Sequence, residues 1–473
     1  MKKVKVRLRP IVSKLNLPTV LKTAILPGDS IERLFIATQV GEIFYIGNGA
    51  IRTFLDIRPR IIKLGVSSGG YDERGLLGLA FHPEFYYNRL FYLHYSVAGT
   101  QGPGALPGTF ESFKPKPCDP GTLSLKWINR EIQYDHIDTV EEWMLHSNGQ
   151  PQKRRTLLNI RRPFLNHNGV NSLNFSPETR KLVLTTGDGG SGYDPFNLSQ
   201  DVMEIAGKII EIDVTKHTYI DNPPVVTRFN ELPVLIQETL TVIAKGVRNI
   251  PGISFQRFHD NQYIKYAGNV GQDLVESIFS FVHYKPIPVT QLIKASLENS
   301  ELDQEGFVNF GWRGWEGAFP TSIITDCSTN PALNEKTIAY YDEAVKTSIR
   351  CLQPLISYFH EDPRTDKFRA TALTGVQPYM GNEIHELSGN VVFIDLARGK
   401  ESPVRGVLAY TRVKTDCIQN DFSIIETDYN FGSQSAYYVS LGTNLNQTRL
   451  YLGVYGSMKV ADFNQGTVFE IIP

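Results

Sequence analysis

Between Phe164 and Val214 the chain reads FLNHNGVNSLNFSPETRKLVLTTGDGGSGYDPFNLSQDVMEIAGKIIEIDV, and its polar residue types are those that move protons. An imidazole at His167 has an unperturbed pKa of ~6.5, so it can accept a proton near neutral pH. Asp188 follows in a Gly-Asp-Gly-Gly turn directly after an apolar run, and catalytic side chains concentrate on tight loops at the ends of rigid strands. Each residue also has a plainer reading. A lone histidine more often hydrogen-bonds a loop, and a G-D-G-G sequence forms an Asx turn with no catalytic purpose.

Three hairpin-like passages supply the scaffold that such a loop needs: ILPGDSIERLFIATQ from Ile25, AFHPEFYYNRLFYLHYS from Ala80 and NFSPETRKLVLTTGD from Asn174. Each is an apolar residue, a Pro-containing polar turn, a basic residue and a second apolar run, which reads as strand, turn, strand. Looser copies, GNVVFIDLARG from Gly389 and TRLYLGVYGS from Thr448, end the chain. Near the start, Val4, Val6 and Leu8 alternate with Lys3, Lys5, Arg7 and Arg9, the period of a strand with one buried face. Hairpins repeated along a whole chain indicate a propeller or a solenoid. Six units would take roughly 79 residues each, longer than a minimal blade, so loop and short helical insertions are expected near 99–160, 285–305 and 320–350. VTQLIKASLE from Val289 and LNEKTIAYYDEAV from Leu333 are helix-compatible stretches within them. The whole of 1–473 is expected to be a single domain.

Composition bounds the partners. With 48 basic and 49 acidic residues the net charge is -1, which gives no global field toward nucleic acid or an anionic membrane. Lys153-Arg154-Arg155 and Arg161-Arg162 are short basic runs of the kind that usually make a solvated face. No apolar run approaches the ~20 residues of a membrane span, and no apolar h-region follows the basic start, so a soluble, intracellular chain is expected. Cys118, Cys327, Cys351 and Cys417 show no CxxC spacing for zinc. Cys327 and Cys351 flank one insertion and are a candidate pair, although free thiols are expected in a reducing compartment.

The motifs ERGLLGLAFHPEF from Glu73, HNGVNSLNFSP from His167, TTGDGG from Thr185, DPFNLSQDVMEIAGKIIEIDV from Asp194, GVRN from Gly246, GNVGQDLVES from Gly268 and VNFGWRGWEG from Val308 occur in this order. Together they resemble the glucose/sorbosone dehydrogenase family, the soluble quinoprotein sugar dehydrogenases, from about Leu34 to Ile471. The resemblance implies an all-β, six-bladed propeller whose top-face cleft holds pyrroloquinoline quinone (PQQ) and calcium. It implies oxidation of an aldose or related alcohol, with electrons passed to an external acceptor.

The resemblance also implies roles. His167 matches the general base and Asp188 an acid that orients its ring. Arg248 and Asn249 match a pair that contacts the quinone, and a guanidinium suits both its carbonyl and its carboxylates. Glu73 stands where the family has Gln or Glu near the cofactor. Gly271 and Gln272 fall where backbone carbonyls of the family ligate calcium, with Glu276 close by, and hard oxygen ligands suit that ion. One position departs: Tyr379-Met380-Gly381 stands where the family has Tyr-Arg-Gly or Tyr-Lys-Gly. A lost charge-assisted hydrogen bond costs about 1.5–3 kcal/mol, so the cofactor clamp is expected to be weakened there unless Arg398 or Lys400 compensates. The alternative expectation is a catalytically inactive propeller that serves as a binding or structural module.

Overall fold

The computed structural model describes residues 3–66, 68–99, 129–216, 220–298, 300, 307–321, 351–360, 369, 371–399, 402–413 and 421–473. Cys118, Cys327, Cys417, Lys400, the 99–123 loop beyond Gly99 and the stretch from Leu333 lie outside them.

The architecture is all-β and propeller-like, built from antiparallel meanders that follow chain order. The first sheet comprises Pro18–Ile25, Glu32–Thr38, Glu42–Gly47 and Ala50–Asp56. The second runs Leu76–Phe81, Leu90–Ala98, His136–Leu145 and Pro151–Arg162, edged by Val225–Val226. The last part of the expected 99–160 insertion is therefore two long strands of this sheet. The third contains Leu173–Phe175, Leu182–Thr185, Ile209–Ile212 and Leu240–Lys245, extended by two short strands. The fourth is Ile253–His259, Gln262–Asn269, Val275–Phe281 and Ile356–Phe359.

An eight-stranded sheet follows, in which Leu373–Tyr379, Asn390–Asp395, Val407–Thr411 and Ser423–Thr427 form one antiparallel run. Val4–Leu15, Gly466–Ile472, Leu450–Tyr455 and Tyr437–Thr443 form the other. The runs are joined by parallel pairing of Val4–Val6 with Ile425–Thr427. The alternation read at the start of the chain is present: Val4, Val6 and Leu8 are buried while Lys5 and Arg7 are exposed. The turn-containing passages at Ile25, Ala80 and Asn174 are hairpins, and a helix spans Val289–Leu297.

The first strands of these units pack on one another in succession, and Tyr437–Thr443 packs back on Pro18–Ile25. Period-2 burial lets each sheet fill the gap to its neighbour. Phe35, Phe54 and Phe91 meet Leu79 and Trp143 between the first two sheets, with Phe35 and Phe54 edge-to-face at 5.1 Å. Leu21, Leu34 and Ile36 meet Tyr451 and Val468 where the last run adjoins the first sheet. The basic runs are spent on cross-strand and neighbouring acids: Lys153 on Glu141, Arg154 and Arg155 on Glu142, and Arg161 on Glu231. Among the described residues no helix is long and apolar enough to cross a membrane.

Candidate active site

A cleft of about 550 Å³ opens where the starts of the first strands converge, lined by Thr19, Leu77, Val170, Pro251, Leu373 and Val439. The size is within the range of small-molecule sites. Turns between later strands complete its wall at Gln39, Ser191, Gln272 and Leu396.

His167 enters this cleft from a loop held by the third sheet. Strand Leu182–Thr185 ends at Thr186, whose N–H donates to the Lys208 carbonyl, and Gly187 and Asp188 then thread between two turns. The Gly187 carbonyl accepts from Gly207 N–H at 2.7 Å and Asp188 N–H donates to the Arg248 carbonyl at 2.8 Å. Only glycine fits at 187, because a Cβ there would lie 1.8 Å from the His167 carbonyl oxygen. The underlying turn is stiffened by Lys208, whose buried ammonium donates to the carbonyls of Leu198, Ser199 and Ala206. Burial lowers its pKa to about 8. Asp194 accepts from the N–H groups of Leu198 and Ser199. Burial first, then the nearby Asp188 charge, raises the Asp194 pKa to about 6.

The predicted pair is formed. His167 Nδ1 lies 2.8 Å from Asp188 Oδ1, and both residues are at most 5 % exposed. Asp188 also accepts from Gly190 N–H through Oδ1 and from Trp312 Nε1–H through Oδ2, both at 2.8 Å. A carboxylate receiving that many donors keeps its orientation. The ring proton therefore sits on Nδ1, which leaves Nε2 as the acceptor. Nε2 has no hydrogen-bond partner among the described residues, and His167 lines the cleft. The Asx turn and the contact to His167 coexist in one residue.

Arg248 and Asn249 also line the cleft. The guanidinium reaches Gln272 Oε1 at 3.0 Å and the Val270 carbonyl at 3.2 Å, and stands 5.6 Å from the Trp312 ring. Tyr193 stacks on that indole at 5.9 Å. Asn249 Oδ1 accepts from Gly169 N–H at 3.2 Å, which ties the Arg-Asn turn to the His167 loop. Glu73 lines the cleft but is engaged by the protein, accepting from His167 N–H and from Tyr71 O–H.

Of the expected calcium residues, two line the cleft and Glu276 does not. Gly271 and Gln272 line the cleft, yet the Gln272 amide oxygen accepts from Arg248. Glu276 lies behind the wall, its two oxygens taken by His360 Nε2 at 2.8 Å and Leu373 N–H at 3.0 Å. Among the described residues no group of three or more His, Cys, Asp or Glu side chains is placed to hold a metal ion.

Met380 is also displaced from its expected place. The strand Leu373–Tyr379 begins at the cleft, and its seven residues span roughly 20 Å at ~3.3 Å per residue. Met380 thus stands at the far end, where its N–H donates to Gln447 and its sulfur accepts from Gln256 Nε2 at 3.3 Å. The cleft is lined instead by Thr371–Thr374, and Arg398 is an exposed residue two places beyond Leu396.

Residues that motif reading passed over complete the site. His360 lines the cleft with its ring on Glu276. Burial alone would lower its pKa, but the hydrogen bond and charge of Glu276, with Glu316 and Asp395 behind, raise it. Trp312 stood within a recognised motif without a role. Arg162, read only as part of a basic run, is 1 % exposed and donates to the His167 carbonyl. No local signal marks His360 or Arg162.

The chain belongs to the glucose/sorbosone dehydrogenase family, whose family model matches residues 18–284. It is similar to the HIPL1 protein of Arabidopsis thaliana, 24% identical over 468 residues, covering 90% of this chain and 60% of that protein. The HIPL2 protein of the same plant is 22% identical over 323 residues, covering 64% and 39%. The chain thus spans less than two thirds of the length of either relative. Among solved structures, the PQQ-bound aldose sugar dehydrogenase of Streptomyces coelicolor matches with TM-score 0.57 and 16% identity, over 99% of this chain and 98% of that one. The apo-form soluble aldose sugar dehydrogenase of Escherichia coli matches with TM-score 0.54 and 13% identity, over 99% and 100%. At such identities the likeness shows the fold.

Proposed function

We propose that this chain is a PQQ-dependent oxidoreductase of its family that oxidises an aldose sugar or related alcohol, with His167 as general base. The observation that carries the reading is His167, its Nδ1 held 2.8 Å from Asp188 and its Nε2 left to the cleft. Nε2 would take the hydroxyl proton of the bound sugar, and the Asp188 carboxylate would stabilise the resulting imidazolium. Removing that proton and a hydride from the carbon bearing the hydroxyl gives the carbonyl product. PQQ, when bound, supplies the two-electron oxidant that receives the hydride.

The residues present fit such a group: a cleft of about 550 Å³ with apolar walls at Leu77, Pro251, Val270 and Val439, plus the Arg248 guanidinium and Asn249 amide. Arg248 would pair with a carboxylate and Asn249 would donate to an oxygen.

We read the architecture as one domain, 1–473, with six blades. The reading is supported by counting the eight-stranded sheet as two at its parallel joint, and by the closed succession of contacts among the first strands. The alternative of an inactive binding module loses one of its two motives, because Met380 does not line the cleft, and keeps the other, the long insertions. The purified protein, given PQQ and a dye acceptor, should reduce the dye with one or more aldoses, and His167→Ala should abolish this. No turnover across the panel, together with no PQQ binding by calorimetry, would overturn the proposal.

A further inference from the structure

His167 has φ +58°, a left-handed conformation that a Cβ disfavours and that persists only where the surroundings over-determine it. Charged side chains do so here from three directions. The Glu73 carboxylate accepts its N–H at 2.8 Å, Arg162 Nη2 donates to its carbonyl at 2.6 Å, and Asp188 holds Nδ1 at 2.8 Å. Nε2 is the hydrogen-bonding atom of His167 left for the cleft.

Both backbone partners are themselves fixed. Arg162 donates further to Asn168 Oδ1 at 3.0 Å and the Gly187 carbonyl at 3.2 Å. Its buried charge is balanced by Asp138, with Arg162 Nε 3.3 Å from Asp138 Oδ2. Asp138 is gripped in turn by Ser96 O–H at 2.8 Å and flanked by His136 and His94. Glu73 is oriented by Tyr71 O–H at 2.9 Å.

From this geometry we propose that Glu73 and Arg162 are positioning residues, a carboxylate and a guanidinium that clamp the amide and carbonyl of His167 and so aim Nε2 into the cleft. Glu73 acts on the base through its backbone N–H. This rests on the reading of His167 as the base, but its structural content does not need turnover. A site held within a fraction of an ångström by its supporting shell loses rate, not binding, when that shell is loosened.

The test compares Glu73→Ala with Glu73→Gln, whose amide oxygen can still accept the His167 N–H while its amine meets Tyr71 O–H. Ring ¹⁵N spectra of His167 in the protein without PQQ should show the Nδ1–H tautomer alone in the parent and in Glu73→Gln. Glu73→Ala should show mixed or broadened ring signals. In the PQQ-loaded protein, Glu73→Ala should lose about tenfold or more in kcat with little change in KM or PQQ affinity, and Glu73→Gln should restore most of it. Arg162→Lys, which keeps the charge but not the fork, should behave like Glu73→Ala in both measurements. Unchanged ring signals in Glu73→Ala, or a loss of PQQ affinity without a change in the ring, would overturn the clamp. If the parent fails to bind PQQ, the proposed function falls while the ring spectra still decide the clamp.

Discussion

Replacing Asp188 by Asn removes one charge and one acceptor from a site that three donors address. Oδ1 accepts from His167 Nδ1 and Gly190 N–H, and Oδ2 from Trp312 Nε1–H, all at 2.8 Å. An amide can be placed in two ways. With its oxygen toward His167, its NH₂ meets the Trp312 N–H and one buried donor goes unsatisfied. With its NH₂ toward His167, the Gly190 N–H is orphaned and the ring is driven to the Nε2–H tautomer, which cannot accept a proton from the cleft. Each arrangement forfeits one hydrogen bond, so neither dominates and a sizeable share of molecules carries a silent base. In the rest, the imidazolium loses a charge-assisted partner worth about 1.5–3 kcal/mol, or roughly ten- to a hundredfold in kcat. Asp188 is 1 % exposed and touches no cleft surface, so KM should change little. PQQ-supported dye reduction with the best aldose would measure both. Asp188→Asn turning over within about twofold of the parent would refute the pairing as the source of the base.

Other variants probe the scaffold and the cleft. Gly187→Ala puts a Cβ 1.8 Å from the His167 carbonyl oxygen. Overpacking of that kind costs about 1–3 kcal/mol, so thermal unfolding of a chain this long should shift down by about 1–3 °C and turnover should be lost; an unshifted Tm contradicts the close approach. Arg248→Ala should weaken PQQ binding roughly ten- to a hundredfold by calorimetry, whereas Met380→Ala should leave it unchanged, and the reverse order would return Met380 to the cofactor site. Asp395 behind the cleft wall has its pKa raised to about 7, by burial first and the Glu276 charge second. Its folded pKa lies above the unfolded value of ~3.9, so its favourable contribution is complete below that pH and is lost as pH climbs toward 7. Asp395→Asn should therefore raise Tm near pH 8 more than near pH 4, and equal shifts would contradict this sign.

Much of the scaffold was legible because it is local. The Pro-turn passages at Ile25, Ala80 and Asn174 carry their own turn chemistry, and alternation at Val4, Val6 and Leu8 names the buried face of the strand. His167 and Asp188 were legible because the turns that display them are written in consecutive residues. What was not legible depends on where distant strands end. Met380 sits one strand length from the cleft because Leu373, not Tyr379, is the end that faces it, and motif matching carries no direction. Glu73 reads only as a cofactor neighbour, and its second contact, the amide of His167 94 positions away, has no local signal. Arg162 belongs to a basic run by sequence, yet it is buried because Asp138 on the adjacent strand balances it. The side-chain oxygens of Gln272 and Glu276 are engaged by Arg248, His360 and Leu373, pairings between separate turns and strands that type and spacing do not show.

The most direct test is a crystal structure of the protein grown with PQQ. A planar tricyclic ligand is expected in the cleft against Arg248 and Asn249, leaving His167 Nε2 facing the space beside it, with Nδ1 still on Asp188 and Met380 untouched. A cleft that holds only water at saturating PQQ, or a quinone seated away from His167, would contradict it.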